Sequence, residues 1–187
     1  MLWFGGAALV AAAATQGAGE GVLYGDGFLL SGSVEKAGAG RVVVVLARPH
    51  GRPSFAVVGR VRTTRGGRWR FTAHPLIRTV YRARIGRLLS SRVVVDVEPR
   101  IVLRGSGGRF TAVVRGARSF AGKVVVLQRR TIGPWQTLRR LVLDAKSATR
   151  FTFELPPRRT QIRLLMSRSQ VGPGYVAASS PVITLSR

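Results

Sequence analysis

Gly40-Arg41-Val42-Val43-Val44-Val45-Leu46 is answered later in the chain by Gly122-Lys123-Val124-Val125-Val126-Leu127. Each is a β-branched run opened by glycine, and such stiff side chains fit a buried strand better than a helix. Two further echoes keep the same order. Arg70-Phe71-Thr72 returns as Arg150-Phe151-Thr152, and Arg78-Thr79 returns as Arg159-Thr160. The offset is about 80 residues, well beyond the roughly 20–50 residues of solenoid repeats, so the pattern reads as a duplicated domain. Two small β-rich modules in tandem are expected.

The chain has 187 residues. A module of about 80 residues buries only about 60–65% of the surface its unfolded chain exposes, so each core is modest. Hydrophobic residues make up 45% of the chain, which excludes a disordered polymer. Cysteine is absent, so no disulfide staples either module, and thiol catalysis and thiolate-bound metal are ruled out.

Short alternating segments fill both halves. Arg68-Trp69-Arg70-Phe71-Thr72 and Val80-Tyr81-Arg82-Ala83-Arg84-Ile85 alternate polar and apolar residues with the period of a half-buried strand. Gly66-Gly67 supplies a turn before the first of these. Val93–Val97 closes the first copy. In the second copy, strands are expected at Val124–Arg129, Trp135–Leu143, Thr149–Glu154, Gln161–Met166 and Pro181–Leu185. No stretch of ten or more residues has helical periodicity. Each copy therefore reads as an antiparallel β-sandwich. Glu98-Pro99-Arg100 marks the boundary, because proline removes a ladder donor. Ile101-Val102-Leu103 is then the first strand of copy two, matched by Val22-Leu23-Tyr24 in copy one. With almost no linker, the modules are expected end to end as a semi-rigid rod.

The apolar run Leu2–Ala14 is too short to span a bilayer comfortably. It ends in Ala11-Ala12-Ala13-Ala14, which offers a small-residue cleavage site. Residues 1–20 therefore read as a signal-peptide-like helix, with cleavage near Ala14 and export as its consequence, although no basic residue precedes the apolar run. The expected domains are 1–20, a signal peptide; 21–99, the first sandwich; and 100–187, the second. No later run approaches the length of a membrane helix.

The segments carrying Gln128-Arg129-Arg130, Gly133-Pro134-Trp135-Gln136-Thr137, Arg150-Phe151-Thr152-Phe153 and Thr79-Val80-Tyr81-Arg82-Ala83 resemble the tandem immunoglobulin-like repeats of exported proteins from high-GC Gram-positive bacteria. The resemblance covers nearly all of the chain after residue 20. Phe55 stands where the hairpin tryptophan is expected in copy one. Ile162 replaces the tyrosine of that pattern in copy two, and Ala145–Ala148 replaces a glycine turn, so a less regular turn is expected there. The resemblance implies the fold; such modules serve as spacers, adhesins and carriers, so it implies little about function.

Candidate catalytic groups are few. Asp96 and Glu98, two apart on one expected strand, read as solvated partners of arginines rather than as the facing carboxylates of a glycosidase. His50 and His74 lie in turn regions without a nearby carboxylate and make a poor zinc site. No nucleophile elbow or Ser-x-x-Lys motif occurs. No enzyme, cofactor or metal is expected. Trp69, Phe71 and Tyr81 read as core residues, Tyr81 in the manner of a tyrosine corner. Trp135, beside Gly133-Pro134, is the aromatic expected to be partly exposed and is the candidate ligand contact.

Charge is the remaining signal. Lys plus Arg number 31 against 7 acids, a formal net charge of +24, where about 2–8 units suffice for the solubility of a small domain. A GC-rich genome would favour arginine over lysine, but would not account for the scarcity of acids. Arg68 and Arg70 on one strand, and Arg82 and Arg84 on another, alternate with apolar residues and are expected to face solvent from opposite sheets. Dispersed positive charge favours salt-sensitive attraction to polyanions. The expected polyanion-binding residues are the pairs Arg129-Arg130, Arg139-Arg140 and Arg158-Arg159. The expected role is a non-enzymatic, exported binding or spacer protein at the cell surface. Its partners would be anionic wall polymers, lipid headgroups or glycosaminoglycans, with no sequence-specific reading of nucleic acid. The alternative is a structural protein that meets a specific protein partner through a sheet edge, with the charge incidental.

Overall fold

The computed structural model describes residues 9–13, 21–35, 37–154 and 159–185. The chain divides into two compact units, Met1–Asp96 and Val97–Arg187. The first contains β1 Leu9–Ala13, β2 Val22–Leu23, β3 Phe28–Val34, β4 Val42–Pro49, β5 Ala56–Arg62, β6 Arg68–Ala73, β7 Thr79–Ile85, β8 Leu88–Leu89 and β9 Val93–Val95. Its two sheets run β1-β3-β6 and β5-β4-β7, with β8 and β9 both added to β7. The second unit contains β10 Val97–Glu98, β11 Arg100–Ser106, β12 Arg109–Arg115, β13 Val124–Arg130, β14 Gln136–Val142, β15 Ala148–Thr152 and β16 Thr160–Met166. A one-turn helix α1 Arg168–Val171, β17 Ala178–Ser179 and β18 Ile183–Leu185 follow. Its sheets run β11-β12-β15 and β14-β13-β16, with β17 and β18 both on β16. Each unit is thus a two-sheet, immunoglobulin-like antiparallel sandwich.

Alternation decides what is inside. In β4 the valines at 43 and 45 and Ala47 are buried, while their neighbours face outward. In β6 Trp69 and Ala73 are buried and Arg68 and Arg70 are exposed. The core of the first unit joins Phe28, Leu30, Val43, Val45, Trp69 and Tyr81, with Phe71 packed half-buried against it. Arg82 points outward from the opposite sheet, as its alternation requires, and its Nε donates to the Ser90 carbonyl at 3.0 Å.

The duplication extends to fine devices. A bulge falls between Val45 and Leu46 where β4 meets β5, and again between Leu127 and Gln128 where β13 meets β14. These are corresponding positions of the two echoed runs, and each bulge leaves one extra residue on the outer strand. Ser90 Oγ accepts the Ala83 N–H at 2.8 Å, and Ser180 Oγ accepts the Leu164 N–H at 2.9 Å. Both serines are buried yet satisfied, as buried hydroxyls must be.

The structure corrects three readings. The leader was expected as a helix, but Leu9–Ala13 pairs as a strand with β3, Leu9 opposite Val34 and Ala13 opposite Leu30. A strand edge offers a row of unpaired amides and carbonyls, and pairing with it overrides the helix preference of alanine. The rest of the expected signal segment, 1–8 and 14–20, lies outside the described residues. Second, β11, which holds Ile101–Leu103, flanks β12, and the strand in that place in the first unit is β1, not Val22–Leu23. Third, the turn at Ala145–Ala148 is as regular as its counterpart. Ser147 takes the left-handed φ of 56° where the first unit has Gly67 at 71°. Asp144 Oδ1 accepts the N–H groups of Lys146 and Ala148 at 2.8 and 2.9 Å, and its carboxyl lies below the usual range chiefly through the Ala148 bond. Tyr81 is buried in the core of the first unit, and in the second unit the Tyr175 hydroxyl accepts the Ala117 N–H at 2.7 Å.

Two predictions arise here. Hydrogen exchange at β3 should distinguish the two roles of the N-terminal segment. With β1 present, the amides of Phe28–Val34 that face it are expected to be protected, and in a chain beginning at residue 21 they should exchange at least tenfold faster. Equal protection in both would show that β1 is not a structural strand. Burial pushes the Tyr81 hydroxyl up to about 12. Its folded value lies above the unfolded value of about 10, so the neutral group's contribution is complete below pH 10 and is lost as pH rises toward 12. Absorbance titration should show the phenolate of Tyr81 forming only in that window, together with unfolding. A midpoint near 10 in the folded chain would contradict this.

Candidate functional site

The bulged end of β13 lies against β16 in the second unit, and pairing register assembles a polar face there. Gln128 stands opposite Arg163, and Arg130 opposite Gln161. All four lie on the outward face, because Leu127, Ile162 and Leu164 take the inward positions. Each arginine is tied to the glutamine across from it. Arg130 donates from Nε and Nη2 to Gln161 Oε1 at 3.0 and 2.6 Å, and Arg163 Nε donates to Gln128 Oε1 at 2.9 Å. The hairpin that leaves β13 lays Trp135, half-buried, beside them. The guanidinium carbons of Arg163 and Arg130 lie 4.3 and 4.9 Å from its ring centroid, within cation–π range.

Two cations are held here by neutral acceptors and an aromatic face. Among the described residues, no carboxylate pairs with Arg130, Arg159 or Arg163. Burial first, and then the like charge of Arg130, lower the Arg163 guanidinium from its ordinary value. An anion placed between the two would offset both effects. Beside them Arg130, Arg159 and Gln161 line a cavity of about 440 Å³ with Thr131, Ile132 and Gly133. Ile132 at its rim is 88% exposed. The first unit has a reduced version of this device, in which Arg48 lies 5.2 Å from the Phe55 ring.

The five described arginines of the six singled out in the sequence are therefore distributed over different faces. Arg130 and Arg159 share the cavity beside Trp135. Neighbours on a strand point to opposite faces, so Arg129 turns away from Arg130, and Arg140 from Arg139. Arg139 lines a different groove, at the edge between the two sheets of the unit. Arg158 lies outside the described residues. Arg163, Gln128 and Gln161 were not anticipated. The outward alternation of Gln161 and Arg163 was visible, but their pairing with Gln128 and Arg130 depends on register between segments 30 residues and more apart.

Of the acids, Asp96 accepts an ion pair from Arg78 Nε at 3.1 Å. Glu98 is buried rather than solvated, and the two do not share a strand, because Asp96 falls between β9 and β10. His50 and His74 are exposed. No group of three or more metal-ligating side chains occurs among the described residues. None of their helices is long and apolar enough to cross a membrane.

No known protein family matches the chain, and no curated protein matches it. Three solved structures are similar to the chain at low identity. The tetra-tandem repeat from the extending region of a large adhesion protein is 10% identical, with a TM-score of 0.37, over 96% of this chain and 49% of that one. The FN1–FN3 domains of chicken CNTN1 are 15% identical, with a TM-score of 0.30, over 92% of this chain and 70% of that one. Native α2-macroglobulin from Escherichia coli, spanning domains NIE–MG1, is 9% identical, with a TM-score of 0.30, over 96% of both chains. The chain spans about half the length of the adhesion-protein repeat structure.

Proposed function

We propose that this protein is a non-enzymatic binding and spacer protein of the cell surface, and that it holds anionic polymers through arginines of its second sandwich. The observation that supports this most is the Arg130–Trp135–Arg163 arrangement. Its two guanidiniums are oriented by glutamines, stacked on an aromatic ring and, among the described residues, not neutralised by a paired carboxylate. Arg159 extends the same positive face. With a net charge of +24, a polyanion is drawn in from a distance and meets prepositioned donors on arrival. Export, with the N-terminal segment as a leader, belongs to this proposal, and cleavage near Ala14 would remove β1 and open that edge of β3 in the mature protein. Mass spectrometry of the mature N-terminus tests it, and an intact Met1 in a cytosolic fraction would refute it.

The test of binding is retention of the chain by poly(glycerol phosphate), a sulfated glycosaminoglycan and anionic vesicles at two ionic strengths. A protein making several phosphate contacts loses affinity steeply with salt, with a slope that reports the number of contacts. Affinity independent of salt would reject the proposal. One observation favours a second reading, a protein partner at a sheet edge. β14 ends its sheet among the described residues and exposes Val142 by 63%. The bulge and Arg139-Arg140 on the same strand blunt that edge against strand addition, so this reading stands second.

A further inference from the structure

The two sandwiches share strand order, bulge and buried serines, but they differ in how one core aromatic ring packs. In the first unit Gly59 lies opposite Val45. A methyl group added there would overlap the Phe71 ring, whose Cε2 lies 2.3 Å away, so the ring fills that space. At the corresponding position of the second unit, opposite Leu127, stands Arg139. The ring that corresponds to Phe71 is Phe151. It stacks instead on Phe110, centroids 5.4 Å apart and planes 17° from parallel. Gly105, opposite Phe110, leaves room for this stack, because a side chain there would meet the Phe110 ring and the Arg109 carbonyl.

A groove of about 890 Å³ results, within the range of about 300–1,000 Å³ typical of small-ligand sites. Phe110, Phe151 and Leu141 form its apolar floor. Arg104, Arg109, Arg139 and Arg150 stand around it. None of the four forms an ion pair among the described residues, although the charge of Arg150 is felt by Asp144. An apolar floor calls for an acyl chain, and four cations at its margin call for an anionic head. Neither a bare anion nor a neutral lipid satisfies both features.

We infer that the second sandwich binds single molecules of an anionic, single-chain amphiphile, an acyl chain bearing a phosphate head, in the Phe110–Phe151 groove. The chain lies over the stacked rings and Leu141, and the head is held by Arg109, Arg139 and Arg150. This site lies apart from the Trp135 face and does not depend on the polymer reading.

The test is calorimetric titration of the full chain with octyl, decyl and dodecyl phosphate below their micelle concentrations. Inorganic phosphate and dodecyl maltoside are the controls. Affinity is expected to rise two- to fourfold per added methylene. Inorganic phosphate and the uncharged maltoside should each bind at least tenfold more weakly than dodecyl phosphate. The variant R109Q/R139Q/R150Q should lose at least tenfold for dodecyl phosphate, whereas R130Q/R159Q/R163Q should keep it. These are surface changes that leave the core intact, and far-ultraviolet circular dichroism verifies the fold of each. Affinity without chain-length dependence, equal binding of the maltoside, equal loss in both variants, or binding to vesicles alone would overturn the inference. Loss of polymer retention in the second variant with amphiphile binding unchanged would separate this site from the polymer face.

Discussion

Replacing Trp69 by alanine is expected to destabilise the first sandwich by about 3–5 kcal/mol, as removal of a large buried aromatic does. Trp69 is 3% exposed, lies opposite Gly32 on β3 and joins the core that includes Phe28, Leu30 and Tyr81. A small domain has only about 5–15 kcal/mol to lose. The first unit of the alanine variant should therefore unfold at markedly lower urea concentration. Trp69→Phe should behave differently. Among the described residues the indole Nε1 is buried without a hydrogen-bond partner, and leaving a donor unsatisfied already costs about 1–3 kcal/mol. Phenylalanine removes that donor along with some volume, so its net effect should stay within about 1 kcal/mol of the parent. A phenylalanine variant as unstable as the alanine variant would show that the indole nitrogen makes a bond not seen in this structure.

Changing Arg130, Arg159 and Arg163 together to glutamine should have the largest effect on binding. Each ionic contact removed should lower the salt slope by about one unit, so the slope for a phosphate polymer should fall by about two to three. At low salt the affinity should fall about 10- to 100-fold. Trp135→Ala should weaken binding less, since an exposed cation–π contact contributes about 0.5–1 kcal/mol, but should also free both guanidiniums from their platform. The control is R68Q/R70Q, which removes two exposed charges from β6 of the first unit. If the control lowers the slope as much per charge as the triple variant does, the attraction is diffuse and the Trp135 face has no special part in it.

Much of this architecture was legible in the residues because its signals are local. Period-two alternation in Arg68–Thr72 and Val80–Ile85 placed Trp69 and Tyr81 inside and Arg68, Arg70 and Arg82 outside. Glycine-opened valine runs located β4 and β13. The middle strand of each smaller sheet was harder to read. In β3 the inward series passes through Gly32, and serines interrupt the apolar pattern. In β12 Phe110-Thr111-Ala112-Val113-Val114 gives no clean period. The turn at Ala145–Ala148 looked irregular because its left-handed position is filled by serine. What holds it, Asp144 accepting from two amides, is a side-chain device that substitutes for glycine permissiveness.

The site was less legible. Adjacent arginines in the sequence suggested clusters, yet on a strand adjacent residues diverge, so Arg129-Arg130 and Arg139-Arg140 were split by the pleat. The face that did form joins residues from β13, its hairpin and β16. The chain by itself determined a duplicated, all-β, strongly basic protein, because composition and short-range periodicity are properties of residues and their immediate neighbours. Tertiary structure alone decided that Leu9–Ala13 would pair with β3. It also decided that Arg130 and Arg163 would meet over Trp135, and that Phe151 would stack on Phe110 beside an open groove. Each of these is a matter of register or of which ring fills a shared space, and is settled only when distant segments come into contact.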